Sequence, residues 1–333
     1  MPWPLVCVAT GWSVWCATIA VAQDAPTLPG AEIRAAMAWV FPLNPPPDPN
    51  APPPDMHQPL HVPGSTRSYT LAQYDDMFGA PDWWPQDHPP MPTIVAQGRK
   101  PAWACAYCHL PNGQGRPENA GLAGLPAAYI IEQVKAFRRG ERLSGRPVDE
   151  RPQKVHYMPM EARHVSDADL QLAAVYFSKL KFKLWTRLIE AATVPKTHVA
   201  HHILVPTANA GSEPIGNRII EISTDIERTK LGDARFGFVA YVPPGSIARG
   251  KRLATRGTGT TTPCVACHSA DLRGVGTIPP LAGRSPTYIV RQLILFQTGR
   301  RRNAAAQPMR QEASRLTLDD MIAVAAYAAS REP

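Results

Sequence analysis

The pattern Cys-x-x-Cys-His occurs twice in the chain, as Cys105-Ala106-Tyr107-Cys108-His109 and as Cys264-Val265-Ala266-Cys267-His268. Two cysteines on one helical turn can form thioethers with the two vinyl groups of one porphyrin, and the adjacent histidine can then reach the iron. We therefore expect two covalently attached haem c groups, one at each motif. No other feature of the sequence constrains the fold and the chemistry as strongly.

Two other readings of a Cys-x-x-Cys pair remain open, a zinc site and a disulfide of the thioredoxin type. Zinc needs four ligands, and a Cys-Cys-His set repeated 159 positions later supplies them poorly. The histidine that follows both pairs favours haem over either alternative.

The residues around the two motifs repeat at the same offset of 159 positions. An apolar helical stripe ending near a glycine follows each motif, which predicts the same amphipathic helix in both copies. The matched pairs are Leu122-Ala123-Gly124 and Leu281-Ala282-Gly283, Tyr129 and Tyr288, Gln133 and Gln292, Phe137 and Phe296, and Gly140 and Gly299. The repeat indicates one domain type used twice.

A methionine stands eight positions before each of two predicted helix N-caps, Met158 before Ser166 and Met309 before Thr317. A thioether is a soft, neutral ligand that favours ferrous iron, so a histidine and a methionine together raise the potential and fill both axial positions. Equal spacing in both copies favours ligation over core packing, and each methionine is predicted in a loop beside a proline. Alternative ligands for the first copy are Met160, His156 and His164.

This order of motifs resembles the class I cytochrome c domain, at residues 92–183 and again at 245–333. Two such domains in one exported chain resemble the tandem dihaem cytochromes c of proteobacteria, which carry electrons in the periplasm. The resemblance implies that the axial pairs are His109 with Met158 and His268 with Met309, and that Cys105, Cys108, Cys264 and Cys267 attach the two haems. The expected fold is mainly α.

Three segments depart from that pattern. Residues 1–22 are apolar and end in Ala20-Val21-Ala22, which is typical of a cleaved signal peptide, with an uncleaved anchor as the alternative. Residues 23–91 form a Pro-rich extension, and its proline-dense stretch 42–63 is expected to be a tether or a strap that touches the first haem domain. Residues 184–244 are β-like and predict two or three short strands. There, His198, His201 and His202 suggest a metal site, although histidines at a polar strand edge are commonly no more than that.

Net charge and the distribution of apolar residues limit the kinds of partner that the chain can bind. The formal net charge is +8, with 35 basic and 27 acidic residues. The clusters Arg138, Arg139, Arg142 and Arg300–Arg302 either steer an acidic redox partner or form a solvated surface. We do not expect an exported chain to bind nucleic acid. Nothing after the leader is apolar over a length that spans a bilayer, so we expect a periplasmic protein without a stable membrane span.

The expected function is electron transfer between protein partners, with no catalytic residue of its own. The donor would be a dehydrogenase or a membrane complex, and the acceptor an oxidase or another cytochrome of a respiratory chain. The alternatives are a dihaem peroxidase, which needs one iron open to peroxide, and the cytochrome subunit of a periplasmic dehydrogenase. Matching methionines argue against the peroxidase because each copy closes its iron.

Overall fold

Two sets of helices reproduce the sequence repeat in a computed structural model, which describes residues 5–10, 13–18, 30–145 and 157–333. The α-helices are α1 Ala31–Val40, α2 Leu71–Tyr74, α3 Thr93–Ala96, α4 Cys105–His109, α5 Ala127–Arg138, α6 Tyr157–His164, α7 Asp167–Lys179, α8 Ile226–Lys230, α9 Ser246–Arg256, α10 Val265–His268, α11 Pro286–Gln297, α12 Gln307–Ala313 and α13 Leu318–Ala329. Short 3₁₀ turns lie at Pro85–Asp87 and Ala304–Ala306.

The strands lie mainly between the two helical sets. They are β1 Leu5–Thr10, β2 Ser13–Thr18, β3 Pro59–His61, β4 Ser68–Thr70, β5 Thr186–Glu190, β6 Thr193–Pro195, β7 Thr197–Ala200, β8 Ile203–Pro206, β9 Ser212–Pro214, β10 Ile220–Ser223 and β11 Phe238–Val242. Within residues 5–18 only the β1–β2 hairpin backbone is described, so the predicted cleavage site at Ala20–Ala22 lies outside the described residues.

Helices α5 and α11 are the predicted amphipathic pair, and their bounds differ by the same 159 positions as the motifs. Each ends before a glycine with positive φ, Gly140 at 69° and Gly299 at 67°. Helices α7 and α13 start at the predicted caps, where the Ser166 and Thr317 hydroxyls accept from the backbone N–H groups of Asp169 and Asp320.

The connecting segment builds a larger sheet than the sequence predicted. Five strands are ordered β5-β11-β10-β8-β7, and both parallel and antiparallel neighbours occur. The sheet joins the same apolar core as the second helical set, where Ile220 and Ala240 pack with Ile294 and Met321. It is therefore part of the second domain's core as well as a connection between domains.

The N-terminal extension contacts both halves of the molecule. Helix α1 buries Met37 and Val40 in the second domain's core, and the Arg291 guanidinium donates to the Val40 carbonyl. Farther along, Ala80 and Met91 pack on the first domain, although they lie outside the stretch 42–63 that was predicted as the strap. Between these contacts, residues 42–58 form no helix or strand, contain turns at 48–51 and 55–58, and are largely exposed, and β3 follows. Within the described residues, no helix is long and apolar enough to cross a bilayer.

Candidate haem-binding site

The histidine of each motif is buried and held by the same backbone contact. The ring Nδ1 of His109 lies 2.8 Å from the Ala120 carbonyl oxygen, and that of His268 lies 2.9 Å from the Pro279 carbonyl oxygen. A carbonyl only accepts, so Nδ1 must carry the proton and Nε2 keeps its lone pair for a metal. Burial also lowers the pKa of both imidazoles, which favours the neutral form that a ligand requires.

A tight loop after each motif brings that carbonyl to the ring. In the first copy the Gly115 N–H donates to the His109 carbonyl, and Arg116 pairs with Asn119 across a turn. Gly115 has a φ of 69°, and a Cβ there would lie 2.5 Å from the Ala120 backbone. The second copy repeats this geometry at Gly274, with Val275 paired to Ile278.

Burial raises the pKa of Cys105 to about 12 and that of Cys108 to about 11, and it raises the pKa of Cys264 as well. A thioredoxin-type pair needs the opposite shift, since its reactive thiol works as a thiolate at neutral pH. The environment of the first pair therefore does not support dithiol redox chemistry.

One cavity of about 1000 Å³ holds groups from both motifs. Cys108 and His109 line it on one side, and Cys264, Cys267 and His268 line it on the other. Its apolar walls come from the stripes predicted on α5 and α11, namely Ile130, Val134, Phe137, Ile289, Leu293 and Phe296. This volume lies at the top of the range of about 300–1000 Å³ for ligand pockets.

The structure brings Met158 and Met309 into the same cavity. Met160 points elsewhere, being 40% exposed and absent from the lining, and His164 is exposed as well. His156 lies outside the described residues. The prediction that the two methionines lie in loops was wrong. They lie in the first turns of α6 and α12, where a neighbouring proline is tolerated because the first N–H groups of a helix need no intrahelical partner.

Two buried arginines join the halves of the cavity. Arg142 donates to Gln133 Oε1 (2.9 Å) and across the interface to Gln292 Oε1 (3.1 Å). Arg301 repeats this with Gln292 (3.0 Å) and Gln133 (2.9 Å), and it also reaches the Tyr129 hydroxyl (3.2 Å). Each guanidinium lies over the phenylalanine of its own domain, at 4.5 Å from the Phe137 centroid and 4.0 Å from the Phe296 centroid. The two domains therefore contribute equivalent residues to one contact, which is related by a pseudo-twofold.

The sequence left open whether the arginine clusters steer a partner or form a solvated surface, and the buried Arg142 and Arg301 do neither. Besides the buried Arg142 and Arg301, Arg138 pairs with Asp167 and Arg139 pairs with Glu132 and Glu141. The Arg302 guanidinium donates to the Gly140 carbonyl across the interface. The signal that could have identified this role was in the sequence, since Arg142 and Arg301 share the 159-position offset of the repeat.

Two further parts of the cavity wall were not predicted from the sequence. Phe41, Pro42 and Leu43 of the extension line it, and so do His201 and His202 at the β7–β8 turn. Both histidines have positive φ, 51° and 61°, in a two-residue turn that usually takes Asn-Gly. Burial lowers the pKa of His201. Within the described residues, no group of three or more His, Cys, Asp or Glu side chains is placed to hold a metal ion.

The residues present fit a haem in each half of the cavity. A neutral imidazole with a free Nε2 and a thioether sulfur are the donors that close a low-spin iron, and the α5 and α11 stripes supply walls for a porphyrin. Cys108, Cys264 and Cys267 line the same space, as covalent attachment requires, whereas Cys105 is not among the lining residues and packs against the first domain's core.

The chain is similar to known electron-transfer proteins. The family model for cytochrome c matches residues 95–181. A thiosulfate dehydrogenase electron acceptor from Stutzerimonas stutzeri (strain A1501) is 40% identical over 235 residues, 69% of this chain and 79% of that protein. Cytochrome c4 from Pseudomonas aeruginosa is 31% identical over 237 residues, 70% of this chain and 86% of that protein.

A solved structure is similar over a comparable part of the chain. It is thiosulfate dehydrogenase (TsdBA) from Marichromatium purpuratum, with a TM-score of 0.47 and 28% identity. The match covers 72% of this chain and 39% of that one, so the chain spans about two fifths of that structure's length.

Proposed function

The chain belongs to the cytochrome c family that includes cytochrome c4 and the thiosulfate dehydrogenase electron acceptors, and from this premise we propose how its own residues support electron transfer. It is a dihaem electron-transfer cytochrome. Haem c supplies a one-electron couple at each motif when bound. We propose Cys105 and Cys108 as the attachment points of the first haem, and Cys264 and Cys267 as those of the second.

We propose His109 with Met158 and His268 with Met309 as the two axial pairs. One observation supports this most. Met158 and Met309, which have the same spacing to the following N-cap in their two copies, both line the cavity, whereas Met160 does not. Ala120 and Pro279 fix the imidazoles through Nδ1, while Phe137 and Phe296 help to exclude water. Filled axial positions leave no place for peroxide, which favours a carrier over a peroxidase.

The second part of the proposal is electron exchange between the two haem domains, and it rests on the contact between them. Arg142 and Arg301 each bind glutamines of both domains, and the backbone pairs across the interface through Leu143 N–H to Arg300 O and Arg302 N–H to Glu141 O, both at 2.8 Å. These hydrogen bonds hold the two halves of the cavity together. They support electron exchange within one molecule.

The proposed setting is the periplasm, with residues 1–22 as the signal peptide and residues 92–183 and 245–333 as the two haem domains. The donor we propose is a periplasmic dehydrogenase, because two relatives are named as thiosulfate dehydrogenase electron acceptors and one of them is 40% identical. A dehydrogenase that oxidises thiosulfate is therefore the donor to test first.

The test uses the ferric holoprotein, a purified thiosulfate dehydrogenase and thiosulfate. We expect both haems to be reduced only when enzyme and thiosulfate are both present, and peroxide to be consumed no faster than by free haem c. Reduction by thiosulfate alone, or rapid peroxide turnover, would show an enzyme instead. Reduction by other dehydrogenases but not by this one would retain the carrier and exclude this donor.

A further inference from the structure

The two motif loops differ in exposure at equivalent positions. In the second copy Ala266, Cys267, Ala270, Arg273, Val275 and Thr277 are exposed. Their first-copy equivalents Tyr107, Cys108, Pro111, Gln114, Arg116 and Glu118 are all buried or half-buried. Val275 is 62% exposed, more than any other large apolar side chain among the described residues.

Segments outside the repeat cover the first motif loop. The Arg116 guanidinium donates to the Thr229 carbonyl at 3.3 Å, and Asn112 donates to the Ala234 carbonyl at 3.4 Å. The Trp83 indole N–H donates to the Leu231 carbonyl at 2.6 Å, which ties the extension to the same cover. The turn holding His201 and His202 lies on the cavity near Arg116. Both the extension and the β-containing segment therefore shield the first motif.

Unpaired basic residues lie on α9, the helix that precedes the second motif in the chain. Helix α9 buries Ser246, Gly250 and Ala254 toward α13, and Ala254 lines the cavity that Cys267 also lines. The opposite face of α9 exposes Lys251, Arg252 and Arg256, whose side chains have no ion pair or hydrogen bond among the described residues. These three charges are available to a partner.

The rim of the open loop adds charges of both signs, with basic groups in excess. Arg315 donates to the Thr260 carbonyl, and Arg273 lies 3.7 Å from Asp271. Glu312 accepts from the Thr262 N–H. With Lys251, Arg252 and Arg256, basic side chains outnumber acidic ones around this face. Such a field attracts an acidic surface and raises its association rate at low salt.

We propose that the face formed by Cys267, Val275 and the exposed side of α9 is where the protein exchanges electrons with an acidic redox protein. The first haem domain is then reached through the interface and not directly from outside. This inference rests on the proposed function, because it names the docking surface of the same carrier. In this proposal the N-terminal extension and the β-containing segment, which both depart from the family pattern, shield the first motif.

The test uses the holoprotein and two anionic probes, ferricyanide as oxidant and hexacyanochromate(III) as a paramagnetic label. The variant K251E/R252E/R256E reverses three charges at the proposed face. Its matched control, R67E/K179E/K181E, makes the same charge change at exposed residues of the extension and the first domain, whose side chains are likewise unpaired.

We expect ferricyanide to oxidise the reduced α9 variant at least fivefold more slowly than the control at low salt, and the two rates to converge at high salt. Hexacyanochromate should broaden NMR signals of residues 265–277 and 251–256 and spare residues 107–118. Equal slowing in both variants, or broadening around residues 107–118, would overturn the proposal. A redox titration separates the two ideas, since two intact haem couples in the α9 variant leave the proposed function standing whatever the docking result.

Discussion

At the scale of single residues, the sequence predicted the attachment chemistry and its ligands through adjacency and spacing. The motif histidines are placed by covalent geometry within five residues, so no tertiary information was needed. Met158 was selected by a spacing that Met309 repeats, and the structure places both in the cavity. The roles of Arg142 and Arg301 were not predictable in this way, because they depend on how two helices 159 positions apart meet.

Replacing Met158 by histidine tests the first axial pair. We expect Met158→His to lower the first haem potential by on the order of 0.1–0.3 V, within the range of about 0.8 V over which axial ligands tune haem. The second potential should stay nearly unchanged. A spectroelectrochemical titration measures both, with Met160→His as control, because Met160 is 40% exposed and outside the cavity. If the control shifts the potential and Met158→His does not, Met160 is the ligand.

At the scale of secondary structure, internal repetition made α5, α11 and the caps of α7 and α13 predictable, since each copy supports the other. The methionine segments were predicted as loops beside a proline, but a proline is compatible with the first turn of a helix. Helix α1 and the five-stranded sheet have no counterpart in the repeat. Short strands such as β6 and β9 depend on pairing partners that local sequence does not specify.

The sheet contains a buried acid that makes its contact with α11 sensitive to pH. Glu221 on β10 accepts from the Ser285 hydroxyl at 2.7 Å, at the N-cap of α11, and burial raises the pKa of its carboxyl above the ordinary 4.5. The folded protein therefore holds this proton after the unfolded chain has lost it. The free energy of unfolding falls as pH rises from 4.5 through the raised value.

Glu221→Gln should remove that dependence. We expect the stability of the variant relative to the wild type to increase between pH 4.5 and pH 8, because only the wild type must hold a buried carboxylate. Denaturant unfolding of the holoprotein at several pH values measures the difference. Glu227→Gln is the control, since the Glu227 side chain is 75% exposed. A relative stability that does not change with pH for Glu221→Gln would contradict the assigned burial effect.

At the scale of the whole molecule, the two haem domains form one unit because their halves of the cavity share a buried polar network. The family pattern accounts for each domain. It does not account for the extension and the β-containing segment, which cover the first motif and leave the second open. The asymmetry is therefore a property of the assembled chain, and the repeat alone predicts two equivalent sites.

Removing one interface arginine should weaken this unit. We expect Arg301→Gln to lower the stability of the holoprotein by about 1–3 kcal/mol, because Gln133, Gln292 and Tyr129 lose a buried donor. Arg139→Gln removes an arginine that is 44% exposed and should cost less than about 1 kcal/mol. Thermal unfolding compares them. Equal small losses would mean that the interface does not depend on the network.

The ferric absorption spectrum of the purified holoprotein tests the central claim most directly, when the weak red-end band from methionine sulfur to iron is read against the number of covalently bound haems. We predict two haems per chain and a full methionine band for each, with Met158→Ala and Met309→Ala each removing half of the total. A half-size band in the wild type, or a high-spin signal on one haem, would mean an open or bis-histidine site and contradict the closed dihaem carrier.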